Sequence, residues 1–124
     1  MPVEARVTHS STGKARGLLR RWIKGAINVH NGLGPDLLES VYGRCMVIEL
    51  EKLGLKIESD VPVPITYEGR KITDDGFIMD LLVEDTVVVE LKSVEKIQPV
   101  HQKQLLTYLR LVDKPLGLLI LTLR

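Results

Sequence analysis

The sequence predicts one mixed α/β domain in the order α-α-β-β-β-α-β, with a central mixed sheet flanked by helices. Three observations carry that reading. Apolar residues recur at three- and four-residue steps in the first part of the chain and change to period two after Gly54. Strong breakers fall between the patterned runs, at Asn31-Gly32-Leu33-Gly34-Pro35, at Gly54 and at Pro99. The length, 124 residues, suits a single domain that buries one core without covalent staples.

Residues 1–12 show no sustained period and read as a flexible lead, leaving 13–124 as the domain. From Gly13 to Val29 the positions Leu18, Leu19, Trp22, Ile23, Ala26 and Ile27 have helical spacing. A second helix follows the breaker and runs to about Leu53. Asp36 stands where a cap belongs, with Glu39 three residues on as in a capping box. Gly54 supplies the stop. Leu55, Ile57, Val61, Val63 and Ile65 then alternate with polar or proline positions, which is a strand or strand pair. Pro62 and Pro64 restrict it to an edge or a bulge. Residues 76–83 and 86–92 are two short apolar runs that read as a hairpin, Pro99 opens a helix to about Val112, and 116–123 close the sheet.

Composition excludes several classes. With 44% hydrophobic and 27% charged residues the chain is neither disordered nor membrane-like, and no apolar run approaches the roughly 18 residues of a span. A single cysteine, Cys45, excludes an internal disulfide framework and a multi-cysteine metal site. The basic residues near the start have no apolar stretch behind them, so no secretory signal is expected and the cytoplasm is the default location. The net charge of +1 conceals an asymmetry. Residues 1–24 hold Arg6, Lys14, Arg16, Arg20, Arg21 and Lys24 against Glu4 alone, a sum of +5. Such a segment is either a handle for a polyanion or a solvated helix face.

The chemically informative stretch is Met79-Asp80-Leu81-Leu82-Val83-Glu84-Asp85-Thr86-Val87-Val88-Val89-Glu90-Leu91-Lys92. A three-residue turn at 84–86 pairs Val83 with Val87 and sets Asp80 opposite Glu90; a two-residue turn sends Asp80 and Glu90 to opposite faces. In the first register Ile78, Asp80, Leu82, Val88, Glu90 and Lys92 share one face. Leu81, Val83, Val87, Val89 and Leu91 form the other. Both faces are largely apolar, as in a central sheet covered on two sides. Facing carboxylates repel, and burial sharpens the cost. Lys92 balances one of the two charges. A divalent cation between Asp80 and Glu90 would balance the other, and two carboxylates with waters suit Mg²⁺. The competing reading is a buried ion pair with Lys92 and no chemistry.

Asp80 followed by Glu90-Leu91-Lys92 resembles the PD-(D/E)XK nuclease superfamily, and Gln104-Leu-Leu-Thr-Tyr108 resembles the Gln-x-x-x-Tyr motif of one of its branches. Leu33-Gly34-Pro35-Asp36-Leu37-Leu38-Glu39-Ser40-Val41-Tyr42 is similar to the signature of the small bacterial GxxExxY proteins, and the likeness extends from about Ile23 to Ile120. Asp36 replaces the first glycine of that signature, and Met79 stands where the superfamily's proline would precede Asp80.

The resemblance implies a restriction-endonuclease-like core and Mg²⁺-dependent hydrolysis of phosphodiester bonds, with Mn²⁺ as a substitute and DNA as the nucleic-acid partner. Asp80, Glu90 and the backbone carbonyl of Leu91 would be metal ligands. Lys92 would position water and stabilise phosphate charge, Glu39 would orient water, and Gln104 and Tyr108 would line the site. Homodimers that reach two strands are common among small nucleases of this type. From the residues alone, Tyr108 reads as a core aromatic and Glu39 as a capping acid. A catalytically silent module that binds nucleic acid or protein is the alternative, and RNA is an open substrate.

Overall fold

A computed structural model describes residues 3–8, 12–34, 37–93 and 96–122. Its elements are β1 (Val3–Thr8), α1 (Thr12–Leu33), α2 (Glu39–Lys52), β2 (Ile57–Tyr67), β3 (Arg70–Val83), β4 (Val87–Lys92), α3 (Pro99–Val112) and β5 (Leu116–Thr122). One five-stranded sheet has the order β1-β5-β4-β3-β2. β5 lies parallel to β4 after the α3 crossover, and the remaining pairs are antiparallel.

The sheet is covered on both faces. Leu18, Trp22 and Ala26 of α1, with Tyr42, Met46 and Leu50 of α2, pack on Leu81, Val83, Val87, Val89, Leu91, Leu118 and Ile120. On the opposite face Leu105 and Leu109 of α3 pack on Val63, Phe77, Met79, Leu82, Val88, Leu119 and Leu121. β4 and β5 are therefore apolar on both sides, as the continuous runs predict. Each large side chain removed from water here contributes about 1.5–3 kcal/mol. α1 and α2 meet closely at Gly25, where a Cβ would stand 3.0 Å from both Glu49 Cβ and Met46 Cε. Above that contact Trp22 Nε1 donates to the Tyr42 hydroxyl at 3.0 Å in a fully buried pair.

Several elements differ from the sequence expectation. Val3–Thr8, read as flexible lead, forms β1 against β5. α1 runs past Val29 and through Gly32 to Leu33; the Gly34 N–H makes the last helical bond to the His30 carbonyl at 2.7 Å, and the positive φ of Gly34, 84°, turns the chain out of the helix. α2 starts at Glu39 with Leu38 as its cap residue and no side-chain cap, so Glu39 occupies the first helical position rather than the third. Asp36, the other half of the anticipated capping box, lies outside the described residues. β2 is one long edge strand bearing exposed Pro62 and Pro64, and α3 begins and ends where its patterning predicts.

The β3–β4 turn has the three-residue form. Val83 pairs with Val87, the Thr86 N–H donates to the Val83 carbonyl at 3.0 Å, and Glu84 and Asp85 take left-handed φ values of 53° and 54°. The face assignment needs one correction. Leu81 and Val83 lie toward α1 and α2, but Phe77 and Met79, of the same parity, lie toward α3, and Ile78 is exposed. β3 thus changes faces at Asp80. β2 changes faces at the same level, between Ile57 on the α1/α2 side and Val61 and Val63 on the α3 side. Asp60 is the pivot, with φ of 51°. A left-handed residue inside a strand breaks the two-residue period, and the partner strand turns with it.

Candidate functional site

The site forms where the ladder between β3 and β4 gives way. Regular pairing covers Val83–Val87, Leu82–Val88 and Leu81–Val89. At the next level side chains replace backbone partners: the Leu91 N–H donates to Asp80 Oδ2 at 2.8 Å, and the Asp80 N–H donates to Glu90 Oε1 at 3.3 Å. The two acids therefore converge in the opening between the strands, each held by the other arm's main chain. Glu90 is buried at 6% exposure and Asp80 is half-buried.

Burial pushes the Glu90 carboxyl up to about 8, and the neighbouring Asp80 charge pushes the same way. Burial also raises Asp80, partly opposed by the bond from the Leu91 N–H, while the charge of Asp60 adds to the rise. The Lys92 ammonium, two residues beyond Glu90, pulls both carboxyls back down. Two acids that resist joint ionisation inside a sheet form a stable arrangement only when a proton or a cation joins them.

Asp80 forms part of the wall of a cavity of about 260 Å³ between the sheet and the start of α2. Glu39 and Arg44 contribute from α2, Asp60 from β2, and Leu91 from β4. Glu39 and Leu91, both anticipated, are thus brought to Asp80, with Glu90 buried beside them. Gln104 and Tyr108 are not. Gln104 is exposed on α3, and Tyr108 stacks on Phe77 with ring centroids 3.6 Å apart and planes at 14°. Tyr42, which the sequence signature highlights, is a buried anchor for Trp22; burial pushes its hydroxyl up to about 12.

Sequence reasoning missed Asp60, Ser40 and Arg44 in the cavity wall. Asp60 had one available signal: it is an acid in an otherwise alternating strand pattern. Ser40 and Arg44 follow Glu39 on α2, and Arg44 lies one turn beyond Ser40.

An α/β sandwich whose adjacent strands bring an Asp and a Glu-x-Lys to one opening has the layout of a nuclease-type protein. A family model described as the PD-(D/E)XK nuclease superfamily matches residues 16–121, and the chain belongs to that superfamily. Its members are typically phosphodiesterases that use divalent metals. No curated protein and no solved structure matches the chain. No described helix is long and apolar enough to cross a membrane.

The donor set fits a hard divalent ion. Asp80 and Glu90 offer paired carboxylate oxygens, and Mg²⁺ is commonly held by one or two carboxylates with water completing its shell. Among the described residues no group of three or more His, Cys, Asp or Glu side chains is gathered to hold a metal.

Proposed function

We propose that the chain is a Mg²⁺-dependent nuclease, with Mn²⁺ as a substitute, that hydrolyses phosphodiester bonds in DNA. Its particular likeness is to the GxxExxY proteins, through Glu39, Tyr42 and the strand motifs. The observation that carries the proposal is the convergence of Asp80 and Glu90 in the opening between β3 and β4, beside Lys92.

Asp80, Glu90 and the Leu91 carbonyl would hold the ion. When bound, it supplies Lewis acidity, which lowers the pKa of water and offsets charge on the phosphate. Lys92 places a fixed positive charge next to the acids, where it draws in an anionic phosphate and stabilises the charge that grows on it. Glu39, which lines the same cavity as Asp80, accepts a hydrogen bond from the attacking water and orients it. Leu91 and Leu81 limit water on the sheet side of the cavity. Tyr108 braces the α3 face of the sheet behind the site by stacking on Phe77. The exposed basic residues Arg16, Arg20 and Lys24, at four-residue steps on α1, supply a face for further phosphates. A homodimer would present two such sites to two strands.

The test is cleavage of single-stranded, duplex and branched DNA, and of RNA, with Mg²⁺ or Mn²⁺. Asp80→Asn, Glu90→Gln and Lys92→Ala are each expected to lower the rate at least ~100-fold. Cutting that persists in EDTA or in all three variants would overturn the proposal. Nucleic-acid binding with neither metal binding nor cleavage would identify a catalytically silent module instead.

A further inference from the structure

We propose that Arg44 binds a backbone phosphate one nucleotide away from the bond being cut, which makes the site selective for phosphodiester chains over isolated phosphodiesters. The inference rests on the nuclease assignment of the cavity and extends it to the form of the substrate.

Arg44 stands on α2 in the same cavity wall as Asp80 and Leu91. The helix lies directly on the sheet there: a Cβ on Gly43 would stand 3.2 Å from Leu91 Cδ1. That contact fixes the backbone next to Arg44, so its side chain starts from a set position above the strands. Glu39, Asp60 and Asp80 share the wall, yet no ion pair or hydrogen bond of the Arg44 guanidinium occurs among the described residues. A permanently charged, weakly hydrated fork that none of three nearby acids holds is available to an external anion.

Phosphate is the matching anion, because its oxygens accept two parallel N–H donors from one guanidinium. The reacting phosphate belongs beside Asp80, Glu90 and Lys92 in the opening between the strands. Lys92 lies at the end of β4 and is not part of the α2 wall. Arg44 therefore lies to one side of the reacting group, where the next phosphate of a continuous strand would pass. Ser40, one turn before it on the same wall, adds a hydroxyl that donates to the same phosphate. A compound with a single phosphate cannot occupy both places.

The test compares wild type, Arg44→Gln and Arg44→Lys. Binding of a labelled DNA oligonucleotide is followed by fluorescence anisotropy over a salt series, with Ca²⁺ replacing Mg²⁺. Mg²⁺-dependent hydrolysis of bis(p-nitrophenyl) phosphate, which carries one phosphate, is measured alongside. For Arg44→Gln we expect Kd for DNA to rise about tenfold or more. The slope of log K against log salt should fall by about one phosphate contact, and Arg44→Lys should recover part of both. The loss in DNA binding should exceed the loss in bis(p-nitrophenyl) phosphate hydrolysis at least tenfold.

Unchanged affinity and slope in Arg44→Gln would overturn the inference while leaving the nuclease assignment intact. Equal losses on both substrates would place Arg44 at the reacting phosphate and overturn it as well. A wild type that hydrolyses neither compound removes the nuclease assignment, and the salt slope still decides whether Arg44 binds phosphate. A wild type that also binds no DNA removes both.

Discussion

Replacing Glu90 by Gln should make the metal-free protein more stable, and increasingly so as pH rises. Folded Glu90 holds its proton up to about 8, whereas the unfolded carboxyl releases it near 4.5. Between those values the unfolded chain has lost a proton that the fold retains, so wild-type stability falls as pH climbs through the window. Below about 4.5 both states are protonated and the native protein has its full stability. Above about 8 the loss is complete. Each pKa unit corresponds to about 1.4 kcal/mol, so a move from 4.5 to about 8 sets a ceiling of roughly 5 kcal/mol. Water in the adjoining cavity and relaxation around Asp80 reduce this to an expected gain of about 2 kcal/mol. Gln keeps an oxygen for the Asp80 N–H and adds a donor for the Asp80 carboxylate. For a domain of this size the gain is a rise in Tm of at least about 5 °C. The assay is thermal unfolding by circular dichroism in EDTA from about pH 5 to about pH 9, repeated with Mg²⁺. Metal should raise the wild-type Tm and leave Glu90→Gln nearly unmoved. A difference between the two proteins that stays flat across the pH range would refute the assignment of Glu90 as a buried, proton-holding acid.

Three further outcomes follow from the packing. Tyr42→Phe removes the acceptor for Trp22 Nε1 and strands a buried donor, which should cost about 1–3 kcal/mol in urea unfolding with no change in metal response. Gly25→Val would force α1 from α2 at a 3.0 Å contact and should destabilise by at least about 2 kcal/mol, while Gly13→Ala, which meets nothing, should not destabilise; chemical denaturation compares them. Asp60→Asn keeps a side chain tolerant of positive φ and removes a charge that raises Asp80, whereas Asp60→Val forces a β-branched residue into φ of 51° and should lose about 1–2 kcal/mol relative to Asn by the same measurement.

The parts of the fold carried by long periodic patterns were legible. α3 and the prolines of the edge strand could be read, because patterning and proline chemistry are local properties; the β3–β4 ribbon was legible as a hairpin, but its three-residue turn was one of two registers the sequence left open. β1 was legible in principle: Val3, Ala5 and Val7 alternate with Glu4, Arg6 and Thr8, but six residues at a chain end make a weak pattern. The change of face at Asp80 was not legible. It depends on Asp60, twenty residues earlier, adopting a backbone conformation that no composition rule assigns to an aspartate in a strand. Asp80, Glu90 and Lys92 stood out because charge is conspicuous between apolar neighbours, whereas Glu39 was singled out only through the family resemblance and read from the residues alone as a capping acid. Arg44 escaped notice because an arginine on a helix is ordinary until the tertiary fold places a cavity beside it.

The edges of the sheet have unequal capacities for recruiting another chain. Pro62 and Pro64 sit two residues apart on β2, the second at an irregularity between Val63 and Ile65, and each lacks an N–H donor. An incoming extended segment would find the hydrogen-bond template of that border interrupted there. Self-association by strand addition, whether into a paired assembly or into fibrillar aggregates, is thereby disfavoured along the proline-bearing stretch of β2 relative to the border formed by β1.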